Sequence, residues 1–220
     1  PEDHGVLCLV DPRFADPDCR QFFPSHWHPV RIRAADVDES RLDGESPTDL
    51  VVRVSRAKAY ALRDVRRDEL VVAADTVVVL DGEILGKPQD PDDAISMLRR
   101  LRGRSHTVYT GISVWQPATW RMVNELGSSA VFMRDYSDAE IEAYVASRDP
   151  MDKAGAYAIQ HHGFSPVSHM EGCWLTVMGL PLCHLGRALQ TFGLTVPTSV
   201  PGSCRAFTRQ LCEVPLDLPG

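Results

Sequence analysis

One stretch decides how this chain folds: Leu70-Val71-Val72-Ala73-Ala74-Asp75-Thr76-Val77-Val78-Val79-Leu80-Asp81-Gly82-Glu83-Ile84-Leu85. Its segments Leu70–Ala74 and Val77–Leu80 are apolar runs rich in β-branched residues, which is typical of a buried strand. Asp81-Gly82 is a strong signal for a two-residue hairpin turn. The pattern therefore predicts a long strand, a tight turn and a second, short strand at Glu83–Leu85.

A carboxylate and a lysine belong to this hairpin, at Asp75 and Lys87. A carboxylate in an apolar strand must be hydrated, paired or bound to a cation to escape its desolvation cost. An acid that faces an ammonium group across a turn is suited to a metal-bound phosphate. The alternatives are a turn-bonding aspartate and a surface lysine, and the hairpin alone leaves both interpretations open.

A helix predicted before the hairpin brings a further lysine, Lys58. Ser46 caps this helix, Pro47 occupies its first position, and the periodicity carries it to about Arg63. Lys58 falls inside the apolar arc of the helix, which is formed by Leu50, Val54, Ala57, Ala61 and Leu62. A lysine there either extends out to solvent or reaches into a cavity.

The other predicted elements alternate between strands and helices without a strict period. Strands are predicted at Val6–Val10, Thr107–Trp115, Trp120–Leu126 and Ala130–Met133, turns at Gln116–Thr119 and Gly127–Ser129, and helices after Asp90, after Ser137 and from Pro181. We predict an α/β fold, a mixed twisted sheet flanked by helices, in one domain over residues 1–195. Four prolines in residues 196–220 predict a loosely ordered tail.

Composition and charge limit the possible functions. The 220 residues carry a net charge of −7, which argues against a protein that grips nucleic acid through its phosphates. The six cysteines include no Cys-x-x-Cys pair and no zinc-ribbon spacing, so a reducing cytoplasm is the expected compartment. No apolar run approaches the roughly 18 residues that span a bilayer, so no membrane contact is expected. The start at Pro1 rather than Met is consistent with a longer parent chain.

Several common catalytic motifs are missing from the sequence. Gly82–Lys87 lacks P-loop spacing, since three residues separate its glycines and Pro88 follows the lysine. His26-Trp27-His28 and His161-His162 lack a third metal ligand at a useful spacing. There is no Gly-x-Ser-x-Gly elbow and no cysteine with an evident histidine partner. A P-loop nucleotidase and a covalent hydrolase are therefore disfavoured.

A second carboxylate, Glu39, lies in an acidic segment before the predicted helix. It is either part of a solvated turn or a partner of Asp75. If the two carboxylates converge, they supply oxygen ligands suited to Mg²⁺, which shares substrate phosphates with the protein. Lys58 and Lys87 would then neutralise a phosphate chain as point charges. Such a constellation would suit the hydrolysis of a phosphoanhydride.

The chain resembles the Maf family of nucleoside triphosphate pyrophosphatases, over about residues 37 to 189. The motifs that carry the resemblance are Ala74–Val77, Leu80–Pro88, Ser96–Gly111, Pro150–Gln160 and Val177–Leu182. The resemblance implies a two-lobed single domain of the Maf and ITPase type, usually a homodimer, with a nucleotide cleft. It also implies that pyrophosphate is removed from a nucleoside triphosphate with the help of Mg²⁺ or Mn²⁺.

The resemblance further implies roles for single residues. Asp75 matches the family's proton acceptor, and Thr76 and Gln160 match positions linked to base choice in the subgroup that acts on dTTP and UTP. The acidic and basic residues around the phosphates and the metal are matched by Glu39, Lys58 and Lys87, with Glu39 and Asp75 as the expected metal ligands.

The first loop departs from the family pattern. The family has Ser-x-Ser-Pro-Arg-Arg there, whereas this chain reads Leu9-Val10-Asp11-Pro12-Arg13-Phe14. Arg13 matches a phosphate-binding position, but both serines and the second arginine are missing. Each lost charge-assisted bond would weaken binding by ~1.5–3 kcal/mol. Two hypotheses follow: a pyrophosphatase acting on dTTP and UTP, and a catalytically impaired relative that serves as a nucleotide-binding or interaction domain.

Overall fold

The computed structural model describes residues 7–10, 30–62, 65–67, 69–194, 196, 202, 204 and 205, with the backbone alone for 7–10 and 30. Its strands are β1 (Leu7–Val10), β2 (Val30–Ile32), β3 (Leu70–Leu80), β4 (Glu83–Leu85), β5 (Ser105–Gln116), β6 (Arg121–Met133) and β7 (Val167–Gly172). Its helices are α1 (Pro47–Ala61), α2 (Pro91–Leu101), α3 (Asp138–Ala146), α4 (Trp174–Met178) and α5 (Leu182–Gln190). Two short 3-10 segments, Asp149–Asp152 and Ala154–Ala156, follow α3.

The described strands form one mixed sheet in the order β2-β1-β3-β5-β6-β7, with β4 paired to β3. β1 runs parallel to both β2 and β3, whereas the pairs from β3 to β7 are antiparallel. Helix α1 packs on β3 and β5, and helices α4 and α5 pack on β5 and β6. The predicted mixed sheet flanked by helices is confirmed.

Strand β3 is buried on both faces of the sheet, which explains its nearly continuous apolar sequence. The α1 face, as we name it, carries Ala73, Asp75 and Val77, and its apolar members pack with residues of α1. The α4 face carries Ala74 and Thr76, and Ala74 packs in the cluster that includes residues of α4 and α5. Alternate residues of one strand therefore enter different cores.

The edge of β3 is open at its centre. Strand β1 pairs with β3 as far as Val10, which lies opposite Ala73. Strand β4 begins its pairing where Leu85 lies opposite Val78. Among the described residues, no strand pairs with Ala74–Val77 on this edge, while β5 pairs with them on the other edge. Side chains from both faces of β3 can therefore reach the same opening.

The helix-start signals in the sequence are confirmed by the caps. The Ser46 hydroxyl accepts the Asp49 N–H at 3.1 Å, and the Asp90 carboxylate accepts the Asp93 N–H at 2.8 Å. Ser137 forms a complete capping box at the start of α3, and α5 begins directly after Pro181. The side-chain caps of α1, α2 and α3 satisfy backbone N–H groups that a helix start leaves unpaired, whereas α5 has no side-chain cap.

One predicted turn is wrong. Gly127–Ser129 does not interrupt a strand pair but lies inside β6, which runs unbroken from Arg121 to Met133. Gly127 is there because α4 packs against it: a Cβ at this position would lie 2.6 Å from the Thr176 hydroxyl oxygen. The Ser129 hydroxyl donates to the Cys173 carbonyl oxygen at 2.9 Å and accepts the Cys173 N–H at 3.0 Å. Both residues thus serve the contact with the segment leading into α4, and the sequence alone does not show this contact.

The sequence did not predict β2, β7 or α4, which are short elements with little periodicity. The predicted boundary between a domain and a tail at residue 196 stays a prediction. Within the described residues, Val196 and Cys204 are buried in the cluster that includes Leu185. No described helix has both the length and the apolar content that crossing a membrane requires.

A buried histidine gives the fold a predictable pH dependence. His106 on β5 is 4% exposed, its Nε2 lies 2.7 Å from the Tyr157 hydroxyl oxygen, and burial lowers its pKa from 6.5 to about 4. The unfolded chain therefore binds a proton more readily between these pH values. The contribution of His106 to stability is fully present above pH 6.5 and is lost as the pH falls toward 4.

We expect the free energy of unfolding of the wild type to lose about 3 kcal/mol through this one group over that range. The variant His106→Gln should lack this part of the slope when urea unfolding is measured at pH 7 and at about pH 4.5. His169→Gln, on an exposed histidine of β7, is the matched control and should keep the wild-type slope. Equal slopes for the wild type and His106→Gln would contradict the prediction.

Candidate active site

A cleft of about 680 Å³ lies at the open edge of β3. Its wall combines apolar residues with carboxylates and cations, which is a composition suited to a polar, charged ligand. The polar and charged side chains that line it are Glu39, Arg41, Lys58, Asp75, Thr76, Glu83, Lys87 and Asp152. Strand β3, helix α1, the loop before α1 and the loop after β4 all contribute to this lining.

Lys58 joins the two carboxylates of the cleft. Its ammonium nitrogen donates to Asp75 Oδ1 at 2.8 Å and lies 2.8 Å from Glu39 Oε1. Lys58 and Asp75 are each 7% exposed, whereas the Glu39 side chain is 45% exposed. The lysine on the apolar arc of α1 thus reaches into a cavity, which was one of the two alternatives left open by the sequence. Glu39 and Asp75 converge on a single nitrogen atom.

The electrostatics of this triad keep Lys58 charged. Burial disfavours the ammonium form and is the largest single influence on the pKa of Lys58. The charge of Asp75, hydrogen bonds to Asp75 and Glu39, and the charge of Glu39 act in the opposite direction, and together they raise its pKa above the usual value. Lys58 therefore stays protonated at neutral pH and holds two carboxylates that would otherwise repel each other.

The contact between Lys58 and Asp75 depends on how closely α1 approaches the sheet. Asp75 lies directly opposite Gly111 of β5. A Cβ at Gly111 would lie 2.6 Å from the carbonyl oxygen of Val51 in α1, so only glycine leaves room for the helix backbone. With the helix seated at this point, Lys58, two turns further along α1, lies over Asp75. Gly111 is therefore part of what positions the triad.

Thr76 enters the same cleft from the α4 face. Its hydroxyl oxygen lies 2.9 Å from that of Thr110, and the Thr110 hydroxyl donates to the Thr176 carbonyl oxygen at 2.6 Å. Thr110 and Thr176 are fully buried, whereas Thr76 is partly exposed at the cleft. The two neighbouring residues of β3 therefore make different contacts. Asp75 belongs to the triad, and Thr76 ends a chain of hydroxyl groups.

The loop that carries Lys87 is hydrogen-bonded to the segment Pro150–Gln160. The Gly155 N–H donates to the Gly86 carbonyl oxygen at 3.0 Å. Gly155 has a φ of 69°, and a Cβ there would lie 3.1 Å from the Val78 side chain. Lys153 Nζ donates to Asp152 Oδ1 at 2.7 Å and to the Asp149 carbonyl oxygen at 2.7 Å, which fixes the segment in front of the cleft. The hairpin and the block from Pro150 to Gln160 therefore build one wall.

The structure brings five of the predicted residues into the cleft: Glu39, Lys58, Asp75, Thr76 and Lys87. Gln160 is half-buried beyond the second 3-10 segment and is not part of the described lining. Arg13 lies outside the described residues, as do Asp11 and Phe14 of the altered loop. The predicted roles of Gln160 and Arg13 in substrate binding stay predictions.

Some residues of the site were missed by sequence reasoning. Arg41 lines the cleft, Gly111 seats α1, and Thr110 holds Thr76. Arg41 gave no signal, because it stands in a loop without periodicity. Thr110 and Gly111 end the motif Ser96–Gly111. A glycine inside a strand indicates a close backbone approach. Which helix approaches there is a long-range fact that the strand sequence does not contain.

The fold and the cleft together define an α/β protein with a charged ligand site at the open edge of its sheet. A family model described as "Maf-like protein" matches residues 20–192. This match covers more than half of the chain, and the chain belongs to the Maf-like protein family.

Curated relatives agree with this assignment. A protein of Pelotomaculum thermopropionicum named dTTP/UTP pyrophosphatase is 43% identical over 166 residues, which cover 76% of this chain and 87% of that protein. A protein of the same name from Dictyoglomus turgidum is 44% identical over 159 residues, covering 72% and 82%. The solved structure of a HAM1 protein from Coxiella burnetii aligns over 86% of this chain and 96% of that one, at 12% identity and a TM-score of 0.41. That low score adds nothing to the family assignment.

Proposed function

We propose that the protein is a nucleoside triphosphate pyrophosphatase that hydrolyses dTTP and UTP to the monophosphate and pyrophosphate. The observation that carries the proposal is the triad of Lys58, Asp75 and Glu39 inside a charged cleft. The names of the Pelotomaculum and Dictyoglomus relatives supply the substrate class. These names favour an active enzyme over an impaired relative.

Asp75 is the proposed general base. Its carboxylate takes a proton from water while the water oxygen bonds to the α-phosphorus and the bridging bond to the β-phosphate breaks. The pyrophosphate leaves with the electron pair of that bond. Lys58 supports this role in two ways, since it orients the carboxylate through a 2.8 Å hydrogen bond and places beside it a positive charge, which favours the ionised form.

The residues of the cleft fit a divalent cation such as Mg²⁺ or Mn²⁺. Glu39 and Asp75 each place a carboxylate oxygen 2.8 Å from Lys58 Nζ, so a cation bound beside this ammonium group would take oxygen ligands from one or both of them. Mg²⁺ commonly binds one or two carboxylates plus substrate phosphates. Among the described residues, no group of three or more His, Cys, Asp or Glu side chains is arranged to hold a metal ion. A bound cation would therefore also depend on the substrate phosphates. When bound, the cation would offset the charge that develops on the departing pyrophosphate.

The other cations of the cleft are the proposed phosphate ligands. Lys87 is exposed on the loop after β4 and lines the same cleft as the triad. Lys58 adds a second positive charge, and Arg13 is proposed to act with them. Thr76 and Gln160 are the proposed base-selecting residues. From the family resemblance we also propose a homodimer in the cytoplasm.

The experiment that tests the function is pyrophosphate release from UTP, dTTP, CTP and GTP with Mg²⁺, with Mn²⁺ and with EDTA. We expect UTP and dTTP to be hydrolysed faster than CTP and GTP, and EDTA to stop the reaction. In ¹⁸O-labelled water the label should enter the monophosphate, because water attacks the α-phosphorus.

Two results would contradict the proposal. Release of inorganic phosphate alone would place the attack at the γ-phosphate. No turnover of any nucleotide by a folded protein would favour the impaired relative, and the altered first loop would then be the place to look for the defect.

A further inference from the structure

Thr76, Thr110 and the Thr176 carbonyl group form a continuous chain of hydrogen bonds from the cleft into the core. Thr110 Oγ1 lies 2.9 Å from Thr76 Oγ1 and 2.6 Å from the Thr176 carbonyl oxygen. The same carbonyl accepts the Gly179 N–H at 3.1 Å, which holds it in place. Close packing supports the chain, because Gly127 lies opposite Thr110 and leaves room for α4 to approach.

The direction of the protons in this chain is determined by its inner end. A carbonyl oxygen only accepts, so the single hydroxyl hydrogen of Thr110 must point to Thr176. Thr110 Oγ1 then has only lone pairs left for Thr76, and the hydroxyl hydrogen of Thr76 must point to Thr110. Since Thr110 is fully buried, water cannot take over either partner.

We infer that Thr76 meets its ligand as a hydrogen-bond acceptor only, and that Thr110 is the positioning residue that makes it so. Thr76 is partly exposed and lines the cleft, and its hydroxyl hydrogen is already used. A ligand group that bonds to Thr76 must therefore donate. This inference deepens the proposed function and rests on it.

At ring position 3 of a pyrimidine base, the donor that fits this requirement is the imide N3–H of uracil or thymine. Cytosine carries an unprotonated N3 at the same ring position, and its lone pair would face the lone pairs of Thr76. Two acceptors that face each other in a binding site repel and both lack a donor. The site therefore disfavours cytosine more strongly than the loss of one contact would. The hydroxyl chain thus provides a physical basis for choosing UTP and dTTP over CTP.

The test removes the inner end of the chain and measures base choice. In Thr110→Val the hydroxyl of Thr76 is released and can donate as well as accept, so N3 of cytosine becomes an acceptable partner. We expect the preference for UTP over CTP to fall at least about tenfold. Thr110→Ser keeps the hydroxyl and should keep the preference, which separates the role of the hydroxyl from that of the side-chain volume.

Binding is measured by calorimetry with the α,β-methylene analogues of UTP and CTP and Mg²⁺, so the readout does not require turnover. An N3-methylated UTP serves as a second probe on the wild type and should bind at least about tenfold more weakly than UTP. This probe keeps the inference testable even if Thr110→Val does not fold.

The outcomes separate the two proposals. Expected binding preferences without pyrophosphate release would support the acceptor role of Thr76 and refute the proposed hydrolysis. An unchanged preference in folded Thr110→Val, equal binding of N3-methyl-UTP and UTP, or a wild type that does not distinguish UTP from CTP would overturn the inference about Thr110, whatever the rate of hydrolysis.

Discussion

Asp75→Asn is expected to slow pyrophosphate release from UTP by about 10³-fold, because an amide cannot take the proton from the attacking water. The substitution keeps the volume of the side chain and an oxygen that can accept from Lys58. Glu39 also remains beside the ammonium group, so the variant should fold. The measurement is the turnover number at saturating UTP, together with a thermal unfolding curve for both proteins.

The matched control is Asp81→Asn in the turn of the same hairpin. Asp81 pairs with Arg104 on the surface and does not line the cleft. Its φ of 52° is a conformation that asparagine adopts readily, so neither activity nor stability should change appreciably. A fully active Asp75→Asn would remove Asp75 from the chemical step and leave it with a structural role.

Gly111→Ala is expected to have the largest effect on stability, at about 3 kcal/mol. The added Cβ would lie 2.6 Å from the carbonyl oxygen and 2.7 Å from the carbonyl carbon of Val51, and both are backbone atoms that no rotamer change can move away. Helix α1 must therefore shift from the sheet. Because α1 carries Lys58, the shift should also lengthen the contact with Asp75 and reduce activity in the fraction that still folds.

Urea unfolding and the rate of UTP hydrolysis measure the two parts of this prediction. Gly202→Ala is the control, since a Cβ at Gly202 would meet nothing within 4 Å and this glycine has no positive φ. It should leave both quantities unchanged. A Gly111→Ala protein with wild-type stability would mean that α1 can move without cost, and the positioning argument for Gly111 would fail.

Much of the fold follows from local signals in the sequence. The β3–β4 hairpin and the starts of α1, α2 and α3 are set by turn residues and side-chain caps, whose chemistry is complete within a few neighbouring residues. The turn predicted at Gly127 fails for the opposite reason. Glycine is needed there because Thr176, distant in the sequence, packs closely against it. A local sequence pattern cannot distinguish such close packing from a turn.

For the candidate site too, the sequence predicted some features and the tertiary structure decided others. Asp75 and Lys58 were singled out because a charged residue in an apolar context needs a partner. Glu39 was singled out because a second carboxylate beside Asp75 would suit Mg²⁺, and the sequence left alternatives open for all three. The structure shows that Asp75 and Glu39 meet at one ammonium nitrogen. The altered loop after β1 was also found in the sequence, and its effect on phosphate binding stays a prediction, because residues 11–29 lie outside the described part of the chain.

The sequence by itself determined the β3–β4 hairpin, the longer helices, the family and the chemical types of the side chains at the cleft, since these depend on residue identity and short-range order. Only the tertiary structure decided which helix lies on which face of β3 and showed that α1 packs closely against Gly111. It also showed that the hydroxyl hydrogen of Thr76 points inward to Thr110. These features arise from contacts between segments distant in the chain. Packing and hydrogen-bond geometry, rather than local preference, determine such contacts.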